Sequence, residues 1–143
     1  MKNIAFCAAV LSSTLLPGCG QRHLPAGSEN GMAAALIRHE LAAAPSHIGA
    51  HVSPCPCYVL VGGRDLAREQ LAALSREGPS FVAGSAWAEG RGVRIRVGLP
   101  QHRWNGNFDV AYAMDCTPAC AASGTAVMRY DGSRWRVLSS HLD

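Results

Sequence analysis

From Val93 onward the apolar residues of this chain recur at every second position, and that period constrains the fold more than any other feature. Val93-Arg94-Ile95-Arg96-Val97 places Val93, Ile95 and Val97 on one face and both arginines on the other, as a strand with one buried and one wet face requires. Phe108, Val110, Tyr112, Met114 and Cys116 share one face of the next strand, with Asp109 and Asp115 on the opposite one. Asp131-Gly132 is a two-residue hairpin turn signal. Pairing outward from it sets Arg129 opposite Arg134, Met128 opposite Trp135, Val127 opposite Arg136 and Ala126 opposite Val137. Met128, Trp135, Ala126 and Val137 then share one face and the arginines the other, a self-consistent register. The Arg129–Arg134 opposition calls for a nearby acid, and Asp109 or Asp115 on a neighbouring strand is expected to supply it.

Upstream the period is helical. An Ala-rich run from about Glu29 to Ala44 carries Ile37, Leu41 and Ala44 at helical spacing, with Ser28 or Asn30 as cap and Pro45 as stop. A Pro-, Ser- and His-rich loop over 45–57 leads into Tyr58-Val59-Leu60-Val61, a short buried strand ahead of Gly62-Gly63. Asp65 then suits the N-cap of a second helix with Leu66, Leu71 and Leu74 inward and Gly78 at its end, and Phe81–Trp87 reads as strand. The expected class is α+β: two helices packed on one twisted antiparallel sheet of four to six strands.

This order resembles the cystatin-like and nuclear-transport-factor-2-like folds. Tyr58–Val61, Asp65–Leu74, Cys116–Cys120 and Gly132-Ser133-Arg134-Trp135-Arg136-Val137 also resemble pieces of small secreted bacterial α+β domains, and that resemblance implies no activity.

The first residues read as an export signal: Met1-Lys2-Asn3, an apolar stretch from Ile4 to Leu16, then Pro17-Gly18-Cys19-Gly20. Leu16-Pro17-Gly18-Cys19 resembles the lipobox of bacterial lipoproteins, which implies lipidation of Cys19. Gly20, rather than Asp, after the Cys implies outer-membrane retention in that family. The organisation expected is a signal peptide over 1–18, a tether over 19–28 and one domain over 29–143. Cleavage after Gly20 to give a soluble periplasmic chain is the alternative. Cleavage before Cys19 removes 18 of the 143 residues and, with Lys2, one of 13 basic residues against ten acids. The mature charge near +2 makes no case for nucleic acid. With 48% hydrophobic and 16% charged residues, the chain has the means to build a core.

Cys7 leaves with the signal, so Cys55, Cys57, Cys116 and Cys120 remain, an even number that suits disulfides in an oxidising compartment. Cys116–Cys120 is the favoured bridge, since Pro118 bends the segment between two strands. Cys55–Cys57 is the leftover pair, strained across Pro56, and cross-pairing of 55 or 57 with 116 or 120 stays open. A metal is the alternative use of these ligands. His47, His51, Cys55 and Cys57 form one cluster and Met114, Cys116 and Cys120 another, and such donors suit Cu(I) or Zn. Neither has the paired spacing of structural zinc sites.

No nucleophile elbow, phosphate loop or paired carboxylates occur, so no catalytic residue and no cofactor are assigned. The densest basic stretch is Arg91, Arg94, Arg96 and Arg103, with Trp104 beside it in the polar loop Pro100–Asn107. Arg94, Arg96, Arg103 and Trp104 are the candidate surface for an acidic envelope partner. The expected function is a non-enzymatic lipid-anchored envelope protein with a protein partner. A periplasmic metal-binding domain and a small-ligand binder or enzyme using a sheet pocket are the alternatives.

Overall fold

The computed structural model describes residues 24–43, 56–88, 91–116 and 120–143. Helices α1 (Ser28–Ala43) and α2 (Arg68–Glu77) accompany strands β1 (Cys57–Val61), β2 (Arg64–Asp65), β3 (Phe81–Ala83), β4 (Val93–Val97), β5 (Gln101–His102), β6 (Phe108–Cys116), β7 (Cys120–Tyr130) and β8 (Trp135–Leu142). The strands form one eight-stranded sheet in the order β2-β1-β4-β6-β7-β8, with β3 beside β1 and β5 beside β6. Among the described residues no helix is long and apolar enough to cross a membrane.

The fold is α+β with two helices, but the sheet is mixed and larger than an antiparallel one of four to six strands. β1 runs parallel to β3 and to β4. The cause lies in the order of elements: α2 follows β1 and carries the chain back across the sheet, and a strand entered after such a crossover lies parallel to the one before it. The extra count comes from β2 and β5, two residues each, too short to show a period. Phe81–Trp87 is strand only to Ala83; Gly84–Ala86 turns into a 3₁₀ helix. A Cβ on Gly84 would sit 2.7 Å from the Val59 carbonyl oxygen, so this turn lies directly on β1.

One core joins both helices to one face of the sheet. Met32, Ala33, Leu36 and Ile37 of α1 and Leu71 and Leu74 of α2 meet Val59, Val61, Ile95, Val97, Val110, Tyr112, Met114, Met128 and Trp135. The alternation expected of β4 and β6 places these residues inward. Trp135 pins the start of α1: its Nε1 donates to the Ser28 carbonyl at 2.9 Å, and its ring meets Phe108 and Tyr130. Leu24 also packs on the core, so the last residues of the expected tether are part of the folded body. Asp65 does not cap α2. The helix starts after Ala67 with no side-chain cap, and Asn30 Oδ1 accepts the Ala67 N–H at 3.3 Å. Asp65 instead accepts Ser85 N–H at 2.7 Å and Ser85 Oγ–H at 2.6 Å, which hold its carboxyl below the usual range.

The last hairpin pairs two residues further along than the turn signal implies. Tyr130 faces Trp135, Arg129 faces Arg136 and Met128 faces Val137. A two-residue slip preserves every side-chain face, so Ala126, Met128, Trp135 and Val137 still point inward while each cross-strand partner changes. The slip is set by Asp131, which folds the turn around its carboxylate. Oδ1 accepts Ser133 N–H at 3.0 Å, Ser133 Oγ–H at 2.9 Å and Arg134 N–H at 2.9 Å. These bonds push the Asp131 carboxyl far below the usual range. Asp131, not Asp109 or Asp115, also supplies the acid for the hairpin arginines, 3.3 Å from Arg134 and 3.4 Å from Arg136. Beyond Met128 the register shifts, Val127 facing Ser139, so Leu138 is the extra residue of a β-bulge. Past it the inward side of β8 switches parity, and Leu138 is left exposed.

Candidate functional site

Both α-helices pack on the core face of the sheet, and among the described residues no α-helix covers the other face, where the 3₁₀ turn Gly84–Ala86 packs against Leu60. On that open face Arg94 and Arg96 project from β4 and converge on one carboxylate. Asp115 lies opposite Arg94 in the β4–β6 ladder; its Oδ2 is 3.0 Å from Arg94 Nη2 and 3.0 Å from Arg96 Nε. The Arg94 guanidinium stacks 4.1 Å over the Trp87 ring, a favourable use of the aromatic quadrupole. The trio has one positive charge in excess.

Arg103 and Trp104 are not part of this cluster. Arg103 Nε binds Asp109 Oδ2 at 2.8 Å. Asp109 and Asp115 are six residues apart on β6, which corresponds to about 20 Å along a strand. The four candidate residues of the partner surface therefore occupy two places, with Arg94 and Arg96 towards one end of the sheet and Arg103 and Trp104 at the other. Trp104 is 96% exposed.

Between these places runs an open groove of about 530 Å³. Gly98, Ala111, Ala113, Ser123 and Thr125 line it together with Leu60, Arg96 and Asp143. The trough exists because small residues fall in register across three strands: Ala111 faces Thr125, Ala113 faces Ser123, and the Gly98 N–H donates to the Ala111 carbonyl at 2.7 Å.

Sequence reasoning missed the polar pair under α1. Glu40 is 4% exposed and Tyr112 5% exposed, and both line an enclosed space of about 10 Å³ with Leu36, Ile37, Ile95, Val97 and Met114. That is room for about one water molecule, too little for a small ligand at this place. Glu40 Oε1 and the Tyr112 hydroxyl have no partner in full hydrogen-bond geometry among the described residues, although Glu40 and Ser140 both lie close enough to act on that hydroxyl. Burial, and after it the charge of Glu40, push the Tyr112 hydroxyl well above its usual range. The available signal was spacing: Met32, Leu36 and Glu40 recur every fourth residue on the face that α1 buries.

The backbone register bears on the cysteines. Cys57 is buried in β1, opposite Val93, and Val93 is opposite Cys116. Two strand spacings put Cys57 about 9–10 Å from Cys116, beyond the roughly 7 Å limit for bridging. Cys116 and Cys120 are direct partners at the end of the β6–β7 ladder, where opposed Cα atoms lie about 4.5–5.5 Å apart. The side chains of Cys116 and Cys120, together with Cys19, His47, His51 and Cys55, lie outside the described residues. Among the described residues no group of three or more His, Cys, Asp or Glu is arranged to hold a metal ion. Comparison with protein-family models, with curated proteins and with solved structures gives no match to this chain.

Proposed function

We propose that this chain is a non-enzymatic envelope lipoprotein, anchored at the outer membrane through Cys19, whose domain holds a protein partner on the face of its sheet opposite the α-helices. The observation that supports this reading is the groove across β4, β6 and β7, floored by Gly98, Ala111 and Ala113. A trough of small side chains admits an extended segment without displacing bulky groups. The excess positive charge of Arg94 and Arg96 over Asp115 favours an acidic residue in that segment. The stacked Arg94–Trp87 pair supplies the residue types that concentrate binding energy at interfaces.

The test is a crosslinked pulldown from the cell envelope with the wild-type chain, Arg96→Glu and Ala113→Arg. The expected result is a discrete partner with the wild type that both variants lose while their melting temperatures stay near the wild-type value. Retention of the partner by both variants overturns the docking face. Mass analysis of the N-terminal peptide decides the anchor separately: an unmodified Cys19 refutes lipidation and leaves the docking face standing.

A further inference from the structure

We infer that the end of the sheet carrying Trp104 is a membrane-docking surface that rests on anionic phospholipid headgroups of the bilayer to which the chain is tethered. The anchor in this statement rests on the lipoprotein reading above; the docking surface rests on where the fold brings two turns and the start of the folded body together.

The Trp104 turn connects β5 to β6 and is closed by the Arg103 N–H donating to the Asn107 carbonyl at 2.8 Å. Asn107 Oδ1 accepts Arg129 Nε at 2.9 Å, which ties this turn to the end of β7. The next two positions of β7 and β8, Tyr130 and Trp135, close the Asp131–Arg134 turn. Trp135 in turn holds Ser28 at the start of α1. Pro25, Ala26 and Gly27, the residues that lead in from the tether, line one groove with Ser133 and Arg134. The exit of the tether, the Trp104 turn and the β7–β8 turn therefore share one end of the domain.

The composition of that end suits a bilayer surface. Trp104 is almost wholly exposed, and tryptophan is the side chain most at home between headgroups and acyl chains. Around it are Arg103, Arg129, Arg134 and Arg136, offset by Asp109 and Asp131, while Glu29 at the start of α1 is taken up by Arg64. The excess of two positive charges attracts an anionic leaflet. Arg129 has a neutral amide as its bonded partner, so its charge is available. Reach agrees as well. Five residue steps separate Cys19 from Leu24, and at about 3.5 Å per extended residue the folded body starts within roughly 18 Å of the anchor. A leash that short keeps this end, and not the Arg94–Arg96 end about 20 Å further along β6, beside the membrane.

The experiment uses the chain purified from membranes and reconstituted into vesicles whose acyl chains carry bromine, a short-range quencher of tryptophan. One vesicle set contains phosphatidylglycerol and the other phosphatidylcholine alone. The expected result is quenching in the phosphatidylglycerol set that disappears in Trp104→Phe, because Trp135 is buried and Trp87 is stacked beneath Arg94. Arg129→Gln with Arg134→Gln should weaken the docked state by about 30-fold, taking about 1 kcal/mol per arginine, and is read as loss of Trp104 quenching in the phosphatidylglycerol set. Quenching equal in the wild type and Trp104→Phe, or absent in anionic vesicles, overturns the inference. So does protection of Trp104 by an envelope protein in place of lipid. If the N-terminal mass shows Cys19 unmodified, the anchor fails, and the same quenching assay on the unanchored chain still decides the docking surface.

Discussion

Replacing Glu40 by Leu should make this protein more stable. Glu40 lies on the buried face of α1 at 4% exposure, and its Oε1 has no partner in full hydrogen-bond geometry among the described residues. A buried polar atom left without a partner costs about 1–3 kcal/mol. Its neighbours around the enclosed space are Leu36, Ile37, Ile95, Val97 and Met114, all suited to a leucine, whose extra apolar burial beyond the methylenes Glu40 already buries contributes about 1 kcal/mol. Against this stands the lost polar neighbour of the Tyr112 hydroxyl, worth about 1 kcal/mol. Helix propensity is neutral, since Glu and Leu are close to equal. The net expectation is a gain of about 1–3 kcal/mol, or about 4–12 °C in melting temperature for a domain of this size. Thermal and urea unfolding of the wild type, Glu40→Leu and Glu40→Gln measure it. A fall in melting temperature for Glu40→Leu refutes the reasoning, and an equal fall for the isosteric Glu40→Gln locates the error in the carboxylate. A double-mutant cycle with Tyr112→Phe then gives the coupling between the two groups.

Tyr112 carries a pH dependence of known sign. Its hydroxyl is raised above the ordinary value of 10, so the folded and unfolded states bind its proton equally below pH 10, and above it only the unfolded state releases the proton. Stability should fall as pH rises above 10, and Tyr112→Phe should flatten that fall in urea titrations; an unchanged slope counts against burial as the cause. Gly124→Ala places a Cβ against the His141 carbonyl oxygen on β8, so it should destabilise by about 1–3 kcal/mol, with equal stability refuting the β7–β8 register in that region. Peptide mapping without reductant should return Cys116 linked to Cys120; a Cys57–Cys116 peptide contradicts the strand order β1-β4-β6.

The parts of the fold legible in the sequence are those with a local period and a single consistent solution. Val93–Val97 and Phe108–Met114 could only alternate as they do, and α1 ends within a residue of its expected bounds. The illegible parts depend on comparisons that no local window contains. The hairpin register turned on whether Asp131 sits in a two-residue turn or folds a four-residue one around its own carboxylate, and both solutions leave the inward residues unchanged. The parallel pairing of β1 turned on the crossover through α2, whose presence was visible and whose consequence for strand direction was the missing step.

The candidate surface shows the same division. Arg94, Arg96, Arg103 and Trp104 are close in sequence, and proximity along the chain made them look like one patch. Strand geometry separates them, because the chain leaves β4 at Val97, runs on through β5 and enters β6 from the far end. Each half then takes partners from remote segments. Asp115 gathers Arg94 and Arg96, while Asn107 and Asp131 gather Arg129, Arg134 and Arg136 near Trp104. On the proposed anchor through Cys19 the two basic surfaces take different occupants: the end beside Leu24 faces the bilayer, and the face about 20 Å further along meets the proposed partner from the aqueous side.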